Sequence, residues 1–490
     1  MMNEHGKSDN PIVPEKLSNK AERAAEAVEE RGLAKGNRSE QNALRTQGRA
    51  GAHSALGRIR QAARKDRKQQ FTALYHHVYN PDMLRESYYA LKRKAAAGVD
   101  GVTWHQYGQN LEENLKSLGN RLKQGAYRAQ PSKRSHVPKT DGRQRPIGVT
   151  ALEDKVVQRA LVAVLNAVYE NDFVGFSYGF RPGRNPHNAL DALYVGITKR
   201  KVNYVLDADI REFFDTLDHR WLGRLIRHRI ADKRILRLIQ KWLKAGVLED
   251  GIRTQLDAGT VQGGSVSPLL ANIYLHYVLD LWTQQWRKRQ AHGDMIIVRF
   301  ADDFVVGFQY RREAQRFHAE LQERFAKFGL ALNRDKTRLI EFGRYAARNR
   351  AGRGERKPDT FNFLGFTHIC GVTRKGWFTI RRKTNSKKLR TKLRQVKMEL
   401  RYRMHDPIPL QGAYLRSVVV GHTRYFGVPF NSPQIGIFRK EVCRLWLRTL
   451  RRRSHKHRLT WDRMQRLIAK WIPTARVCHP HPWKRFGVTT

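Results

Sequence analysis

The amino-acid sequence predicts an α+β fold followed by a strongly basic helical region. Three short runs rich in Val, Ile and Phe, at 204–210, 295–300 and 304–308, are typical of buried strands. The segment 313–329 repeats apolar residues on one face at helical spacing and ends at a glycine, which predicts a helix. Residues 371–470 hold 27 Lys and Arg but only 4 Asp and Glu, with Leu and Arg at helical spacings. This pattern indicates helices with one packed face and one basic face.

The first residues of the chain are expected to be disordered. Residues 1–60 are polar, charged and poor in aromatic residues, and only a transient helix is expected, at 20–31. Order is expected to begin near 69–94, where aromatic residues occur at helical spacing, and 95–107 is expected to be a loop. The start of the chain lacks the apolar core of a secretory signal.

A basic hairpin is predicted at 137–149. The Asp-Gly pair at 141–142 is a favourable hairpin turn, and Lys139, Arg143 and Arg145 place three cations around it. Because Arg is suited to bidentate phosphate contact, this hairpin could clamp a triphosphate. An ordinary surface hairpin is the alternative, and the sequence does not say which of the three cations would touch phosphate.

Two adjacent carboxylates, Asp302 and Asp303, lie between two of the predicted strands, at or beside a hairpin tip. Like charges this close are costly unless a cation lies between them, and Mg²⁺ binds one or two carboxylates together with substrate phosphates. Asp207 and Asp209 share one face of the upstream strand, so either could complete a site for two-metal phosphoryl transfer. An exposed turn is the alternative for the Asp-Asp pair.

Several segments, in this order, resemble bacterial group II intron reverse transcriptases with maturase activity. The resemblance covers most of the chain. It rests on a fingers segment at 141–161, a family-typical block at 177–190, polymerase motifs A, B and C at 204–219, 259–280 and 299–308, and two late palm segments at 328–343 and 361–366. One departure is Phe300, where the family usually has Tyr; an aromatic ring and both carboxylates are kept.

The resemblance implies a right-hand polymerase. Fingers and palm with an antiparallel sheet are expected at 61–375, a helical thumb or maturase domain at 376–475, and a tail at 476–490. No HNH endonuclease is expected after the long basic region, so a group II intron protein of the endonuclease-lacking type is expected.

The resemblance also implies the roles of individual residues in the palm. Asp209 is the motif A metal ligand, so that Asp209 and Asp302 would hold two Mg²⁺ ions while Asp303 assists, which leaves Asp207 a structural role.

Three further residues are implicated in nucleotide binding. Phe214 stands where the family places the aromatic ring that crowds a ribose 2′-hydroxyl, with a core position as the alternative. Gln262 lies in a Gly-Gly turn that resembles the nucleotide-pocket segment, where glycines permit close backbone approach. Lys336 matches the late-palm lysine that donates a proton to the leaving pyrophosphate.

In the family the basic region grips intron RNA. The candidate RNA contacts are Arg381, Arg382, Lys387, Lys388, Arg390, Arg451, Arg452 and Arg453. The alternative is a basic face that is merely solvated.

The whole chain is basic, with 94 Lys and Arg against 44 Asp and Glu and a net charge of +50. Self-repulsion on this scale favours a polyanionic partner. No apolar run approaches the roughly 18–20 residues of a spanning helix, so no membrane partner is expected. Cys370, Cys443 and Cys478 form no CxxC pair, which argues against a disulfide framework or a zinc site. The expected compartment is the cytoplasm.

The expected function is an RNA-directed DNA polymerase that copies intron RNA and assists splicing and mobility of its parent group II intron. Its expected partners are that RNA, a DNA target and primer, and deoxynucleoside triphosphates; the oligomeric state is not predicted. Two alternatives stay open. One is an RNA-binding splicing factor with a polymerase scaffold, and the other is a domesticated or different bacterial reverse transcriptase.

Overall fold

The computed structural model describes residues 54–138, 144–249, 252–254, 258–453 and 459–485. The helix expected at 20–31 and the turn expected at 141–142 lie outside the described residues, as do Lys139 and Arg143.

The described chain forms three sheets and a succession of helices. The strands are β1 (Ser132–Pro138), β2 (Gln144–Val149), β3 (Tyr204–Asp209), β4 (Val247–Glu249), β5 (Ile252–Thr254), β6 (Met295–Phe300), β7 (Asp303–Phe308), β8 (Arg338–Glu341), β9 (Phe361–Phe363), β10 (Phe366–Val372) and β11 (Phe378–Thr384). A π-helical turn, His276–Asp280, joins α11 to α12 in the following series. The helices are α1 (54–65), α2 (Tyr75–Val78), α3 (Pro81–Tyr89), α4 (Trp104–Gln109), α5 (Leu111–Lys123), α6 (Leu152–Tyr169), α7 (Pro186–Lys199), α8 (Phe213–Thr216), α9 (His219–Arg227), α10 (Lys233–Ala245), α11 (Ser267–Leu275), α12 (Leu281–Arg289), α13 (Arg311–Lys327), α14 (Ala346–Gly352), α15 (Ser386–Tyr402), α16 (Ile408–Phe426), α17 (Ser432–Arg451), α18 (Trp461–Trp471) and α19 (Pro482–Arg485).

The palm sheet has the strand order β6-β7-β3-β8, and every neighbouring pair is antiparallel. Its strands β6 and β7 are buried on both faces, so their sequences are continuous apolar runs rather than alternating ones. One face packs against α13 through Phe317, Leu321 and Phe325, three of the four residues that helical spacing predicts for this face. The fourth, Phe328, follows the helix and is partly buried. The other face packs against α7. The sheet is therefore held between two helical layers.

The fingers sheet has the order β2-β1-β4-β5, and β1 pairs antiparallel with β2 in the hairpin predicted from the sequence. A third sheet, β11-β10-β9, leads from the palm into α15. The helices α15 to α18 enclose a separate apolar core around the fully buried Trp446. This separate core agrees with an α-helical thumb that follows the α+β part of the chain.

Two local expectations differ from the structure. Order begins earlier than expected, because α1 buries Ile59 and Ala63 against the fingers. The expected loop at 95–107 contains the start of α4, where Thr103 and Gln106 form a capping box that satisfies the first backbone donors. The helix predicted at 313–329 is confirmed, and Gly329 follows it in the left-handed region with φ +70°. Among the described helices, none is long and apolar enough to cross a bilayer.

Candidate active site

The palm sheet brings the motif A and motif C carboxylates together. Asp209, at the end of β3, lies directly opposite Asp303, the first residue of β7. Asp302 lies in the two-residue turn that joins β6 to β7, and the pair Phe300–Asp303 closes this hairpin. Ala301, the other turn residue, has a left-handed φ of +59°. Asp209 thus meets the adjacent pair Asp302 and Asp303, which is distant from it in the chain, at one end of the sheet.

Burial, together with neighbouring carboxylates, raises the pKa values of Asp302 and Asp303. Burial is the largest cause of a raised pKa at Asp303, and the neighbouring carboxylates Asp207, Asp302 and Asp209 raise it further. Burial, followed by Asp209, also raises the pKa of Asp302, although the nearby cation of Arg145 opposes the shift. Both groups therefore favour a positive charge beside them when they ionise.

One such positive charge comes from Lys336. Its Nζ lies 2.7 Å from Oδ2 of Asp209, and the backbone N–H of Asn333 donates to the backbone carbonyl of Asp209 over 2.8 Å. The turn that carries Asn333 and Lys336 is therefore fastened to the end of β3. The Lys336 side chain is 56% exposed, so it can move away from this carboxylate.

Asp207 has a different environment from Asp209. It lies on β3 opposite Arg338 of β8, and an Arg338 guanidinium nitrogen is 3.7 Å from its carboxylate. Burial raises the pKa of Asp207 to about 6, with Arg338 opposing the shift. This pairing within the sheet supports the structural role that the resemblance implies for Asp207.

The motif B turn packs against the fingers. The backbone carbonyl of Gln262 accepts from the N–H of Gly148 in β2 over 2.7 Å. Gly263 has φ +117°, and a Cβ there would lie 2.5 Å from the Gly148 carbonyl, so this close approach needs a glycine. The side chain of Gln262 stays partly exposed beside this contact.

Phe213 and Phe214 have different environments. Phe213 is 2% exposed and belongs to the core, whereas Phe214 is only partly buried. The backbone carbonyl of Phe214 accepts from Thr260 N–H over 2.7 Å, which links motif A to the segment entering motif B. Arg145, on β2, is exposed, and its positive charge acts to lower the pKa of Asp302.

A buried arginine beside the motif C carboxylates was missed by the sequence reasoning. Arg299, fully buried in β6, pairs with the equally buried Asp280 through Nε at 2.7 Å and Nη2 at 2.5 Å. Its remaining N–H groups donate to Ser177 Oγ at 2.7 Å, and to Asn272 Oδ1 and the Ala301 carbonyl at 3.0 Å. All five guanidinium donors are thus satisfied. The available signal was a lone Arg inside an apolar strand, which requires a buried carboxylate partner.

This arginine network fastens the hairpin turn to the motif B helix. Asn272, on α11, also donates to the Gly179 carbonyl over 2.7 Å. Gly179 lies so close to the turn that a Cβ would be 2.3 Å from the Ala301 nitrogen. One packed unit is therefore formed by the segment 177–190, by α11 and by the β6–β7 hairpin that carries Asp302 and Asp303.

The candidate RNA contacts divide into exposed and buried residues. The exposed group comprises Arg381, Lys387, Lys388, Arg390, Arg451 and Arg452. Arg453 is half-buried and donates to the Asp406 carbonyl. Arg382 differs from the expectation: it is 1% exposed and its Nη1 lies 2.6 Å from Oδ1 of the buried Asp191. Its place on β11 turns the side chain inward, where pairing with a carboxylate offsets desolvation.

Comparisons with known proteins agree with this geometry. The family model described as reverse transcriptase (RNA-dependent DNA polymerase) matches residues 137–368. Protein YkfC of Escherichia coli (strain K12) is 34% identical over an alignment of 276 residues, and the match covers 49% of this chain and 71% of that protein. The group II intron-encoded protein LtrA of Lactococcus lactis subsp. cremoris is 36% identical over 234 residues, covering 46% of this chain but only 38% of LtrA.

A plant relative extends the comparison to maturases by name. Nuclear intron maturase 1, mitochondrial, of Arabidopsis thaliana is 31% identical over 94 residues, or 19% of this chain and 13% of that protein. Together with the paired motif A and motif C carboxylates, these matches show that the chain belongs to the reverse transcriptase (RNA-dependent DNA polymerase) family, among the group II intron reverse transcriptase/maturase proteins.

Proposed function

We propose that this protein copies group II intron RNA into DNA and binds its parent intron RNA to assist splicing and mobility. The observation that carries the proposal is the Asp209–Asp303 pair across β3 and β7, with Asp302 in the adjacent turn. Its substrates would be deoxynucleoside triphosphates and a DNA primer on an RNA template. A DNA target site would complete the set of partners.

The carboxylates fit Mg²⁺ that arrives with substrate. Within the described ranges, no group of three or more His, Cys, Asp or Glu side chains is arranged as a complete metal site. Mg²⁺ needs only one or two carboxylates when substrate phosphates and water supply the other ligands. Burial and the neighbouring carboxylates raise the pKa of Asp302 and Asp303, so a bound cation would favour their ionised forms.

In this proposal Asp209 and Asp302 hold two Mg²⁺ ions and Asp303 assists as a further ligand or charge balance. Bound Mg²⁺ would lower the pKa of the attacking primer hydroxyl and stabilise the charge of the leaving pyrophosphate. Lys336 already lies 2.7 Å from Asp209, so its ammonium group can carry a proton toward the leaving group.

The nucleotide would lie between the fingers hairpin and the motif B turn. Of the three candidate cations, Arg145 is the one that lies within the described residues, and we assign it, with Lys139 and Arg143, to the triphosphate. Phe214 would face the ribose, and Gln262 would line the pocket beside it. The contact between Gly148 and Gln262 supports this assignment, because it joins the two elements.

RNA binding is assigned to the exposed cations of the thumb. Lys387, Lys388 and Arg390 lie in the first turns of α15, and Arg451 and Arg452 lie at the end of α17. Exposed cations on helices can contact phosphates without base specificity. We leave Arg382 out of this set, because its charge is used inside the protein.

A splicing factor with an inactive polymerase scaffold is the competing function. A pure RNA-binding module gains nothing from crowded carboxylates, which cost free energy without a cation and repel RNA. The retention of Asp209, Asp302 and Asp303 at one end of the sheet favours an active polymerase.

The test is the variant Asp302→Asn, assayed for DNA synthesis on a primed RNA template. A neutral amide is a poor Mg²⁺ ligand, so synthesis should fall by more than the roughly 10- to 100-fold typical of losing an outer-shell partner. Asp462→Asn, the same change at an exposed position on α18, is the matched control. RNA affinity should be similar in both variants. Near-normal synthesis by Asp302→Asn would contradict the assignment.

A further inference from the structure

A cavity lined by cationic side chains lies between α9 and α10, and it shares no residue with the candidate active site. The cavity measures about 390 Å³. Its lining includes four cationic side chains and no carboxylate, the cations being Arg220, Arg224, Arg227 and Lys244. All four are exposed. A cavity with this lining favours an anionic ligand.

The sequence of these two helices is lopsided in charge. Residues 219–245 contain nine Lys and Arg but a single acidic residue, Asp232. That carboxylate is 2% exposed and accepts from the backbone N–H groups of Leu74 and Tyr75, both over 2.9 Å. Asp232 is thus committed to joining α10 to the fingers, and it cannot neutralise the cavity.

The arginines of α9 form one row along the cavity. Arg220, Arg224 and Arg227 are spaced i, i+4, i+7, so they lie on one side of the helix, about 10 Å from first to last. Arg224 is held in place by Trp221, with its guanidinium carbon 5.1 Å from the ring centroid. Within the part of the chain that the structure describes, none of these three arginines forms an ion pair. Their charges therefore remain available to a ligand.

The shape of the cavity selects a kind of nucleic-acid contact. Besides its cations, the lining offers the Gln240 amide, the His219 ring and aliphatic side chains, but no phenyl or indole ring on which an unstacked base could lie. The His219 imidazole in the lining is hydrogen-bonded to the Gly259 carbonyl. A row of cations without a phenyl or indole ring fits the phosphate backbone of a duplex better than single-stranded bases.

We propose that the α9–α10 cavity binds the phosphate backbone of double-stranded RNA. The inference rests on the proposed function for the identity of that RNA, a stem of the parent intron. The site anchors the RNA away from the catalytic carboxylates. His219 lines the cavity, and its Nε2 lies 2.6 Å from the Gly259 carbonyl. The anchored RNA would therefore lie beside the segment that leads into motif B.

The test compares two triple variants of the full chain. Arg220→Gln, Arg224→Gln and Arg227→Gln together neutralise the cavity row, while Arg311→Gln, Arg312→Gln and Lys327→Gln remove equal charge from exposed positions on α13. Circular dichroism checks that both are folded. The probes are a labelled RNA hairpin of about 16 base pairs and a single-stranded oligouridylate, titrated across a salt series.

The cavity triple should flatten the log–log salt slope for the hairpin by about 2–3, which is about 0.7–0.9 for each lost phosphate contact. The control triple should change the salt slope by less than the value expected for one lost phosphate contact. Equal losses in both triples would show an effect of net charge alone and overturn the proposal. An unchanged slope would also overturn the proposal, because it would show that these arginines make no phosphate contact.

Primer extension by the wild-type protein separates this inference from the proposed function. A wild-type protein that binds the hairpin through the cavity but extends no primer would contradict the polymerase proposal and leave the cavity assignment standing.

Discussion

The buried pair Arg299–Asp280 provides the sharpest quantitative test of how the hairpin is held. The perturbation is Arg299→Met, which keeps an apolar side chain of similar length in β6. It removes the Arg299 hydrogen bonds to the Asp280 carboxylate, Ser177 Oγ and Asn272 Oδ1, and it removes the only described side-chain donor to the turn carbonyl of Ala301. Asp302 and Asp303 stay unchanged.

The expected magnitude follows from burial. Both members of the pair are fully buried, so Arg299→Met leaves an uncompensated carboxylate and should cost about 3–5 kcal/mol of unfolding free energy. Adding Asp280→Leu removes that buried charge. The double variant should therefore be more stable than the sum of the two single losses implies, with a coupling energy of about 2–3 kcal/mol.

Activity separates positioning from stability. Once the buried charge is gone, the double variant still lacks the hydrogen bond to Ala301, so its hairpin should be loose and its kcat low at saturating template and Mg²⁺. Urea unfolding gives the stabilities, and primer extension of the folded fraction gives kcat. A double variant with wild-type kcat would refute the positioning role. A stability loss below about 1 kcal/mol in Arg299→Met would refute the buried ion pair itself.

Three further predictions test other parts of the site and core. Lys336→Met should lower kcat by about 100- to 10,000-fold if the ammonium group transfers a proton, with template binding unchanged; an unchanged kcat in single-turnover extension would exclude that role. Burial raises the pKa of Asp154 to about 6, above the roughly 3.9 of an unfolded chain. Between these two pH values the folded state binds a proton that the unfolded state has lost. The free energy of unfolding therefore falls by about 3 kcal/mol as pH rises from about 4 to about 6. Asp154→Asn should lack this loss, and parallel slopes of stability against pH in the two proteins would contradict it. Gly179→Ala would place a Cβ 2.3 Å from the Ala301 nitrogen; it should cost about 1–3 kcal/mol and abolish synthesis, whereas Gly352→Ala, with open space around it, should behave as wild type in both assays.

The parts of the fold that depend on local pattern were predictable. The strands around Asp302 and Asp303 and the helix now defined as α13 appear within a residue or two of their expected bounds, because apolar periodicity is a property of neighbouring residues. The start of α4 was missed because its signal is a capping box rather than a run of apolar residues. The start of order at α1 was missed because tertiary packing of two apolar residues outweighs a polar composition.

Residue types along one basic segment do not reveal which charges face solvent. Arg381 and Arg382 are adjacent, yet the first is exposed and the second is buried against Asp191, because successive side chains of a strand point to opposite faces. The identity of the buried face depends on which helix packs there. In this protein that helix is α7, which is almost two hundred residues away in the chain.

The chain alone is enough to predict a reverse transcriptase, because the type and order of its motif residues resemble that family. Tertiary structure decides how those residues meet. The register that places Asp209 opposite Asp303, the pairing of Arg338 with Asp207, the buried Arg299 network and the α9–α10 cavity all join distant segments. Strand register and burial are set by packing across the whole domain, and no local window of sequence contains that information.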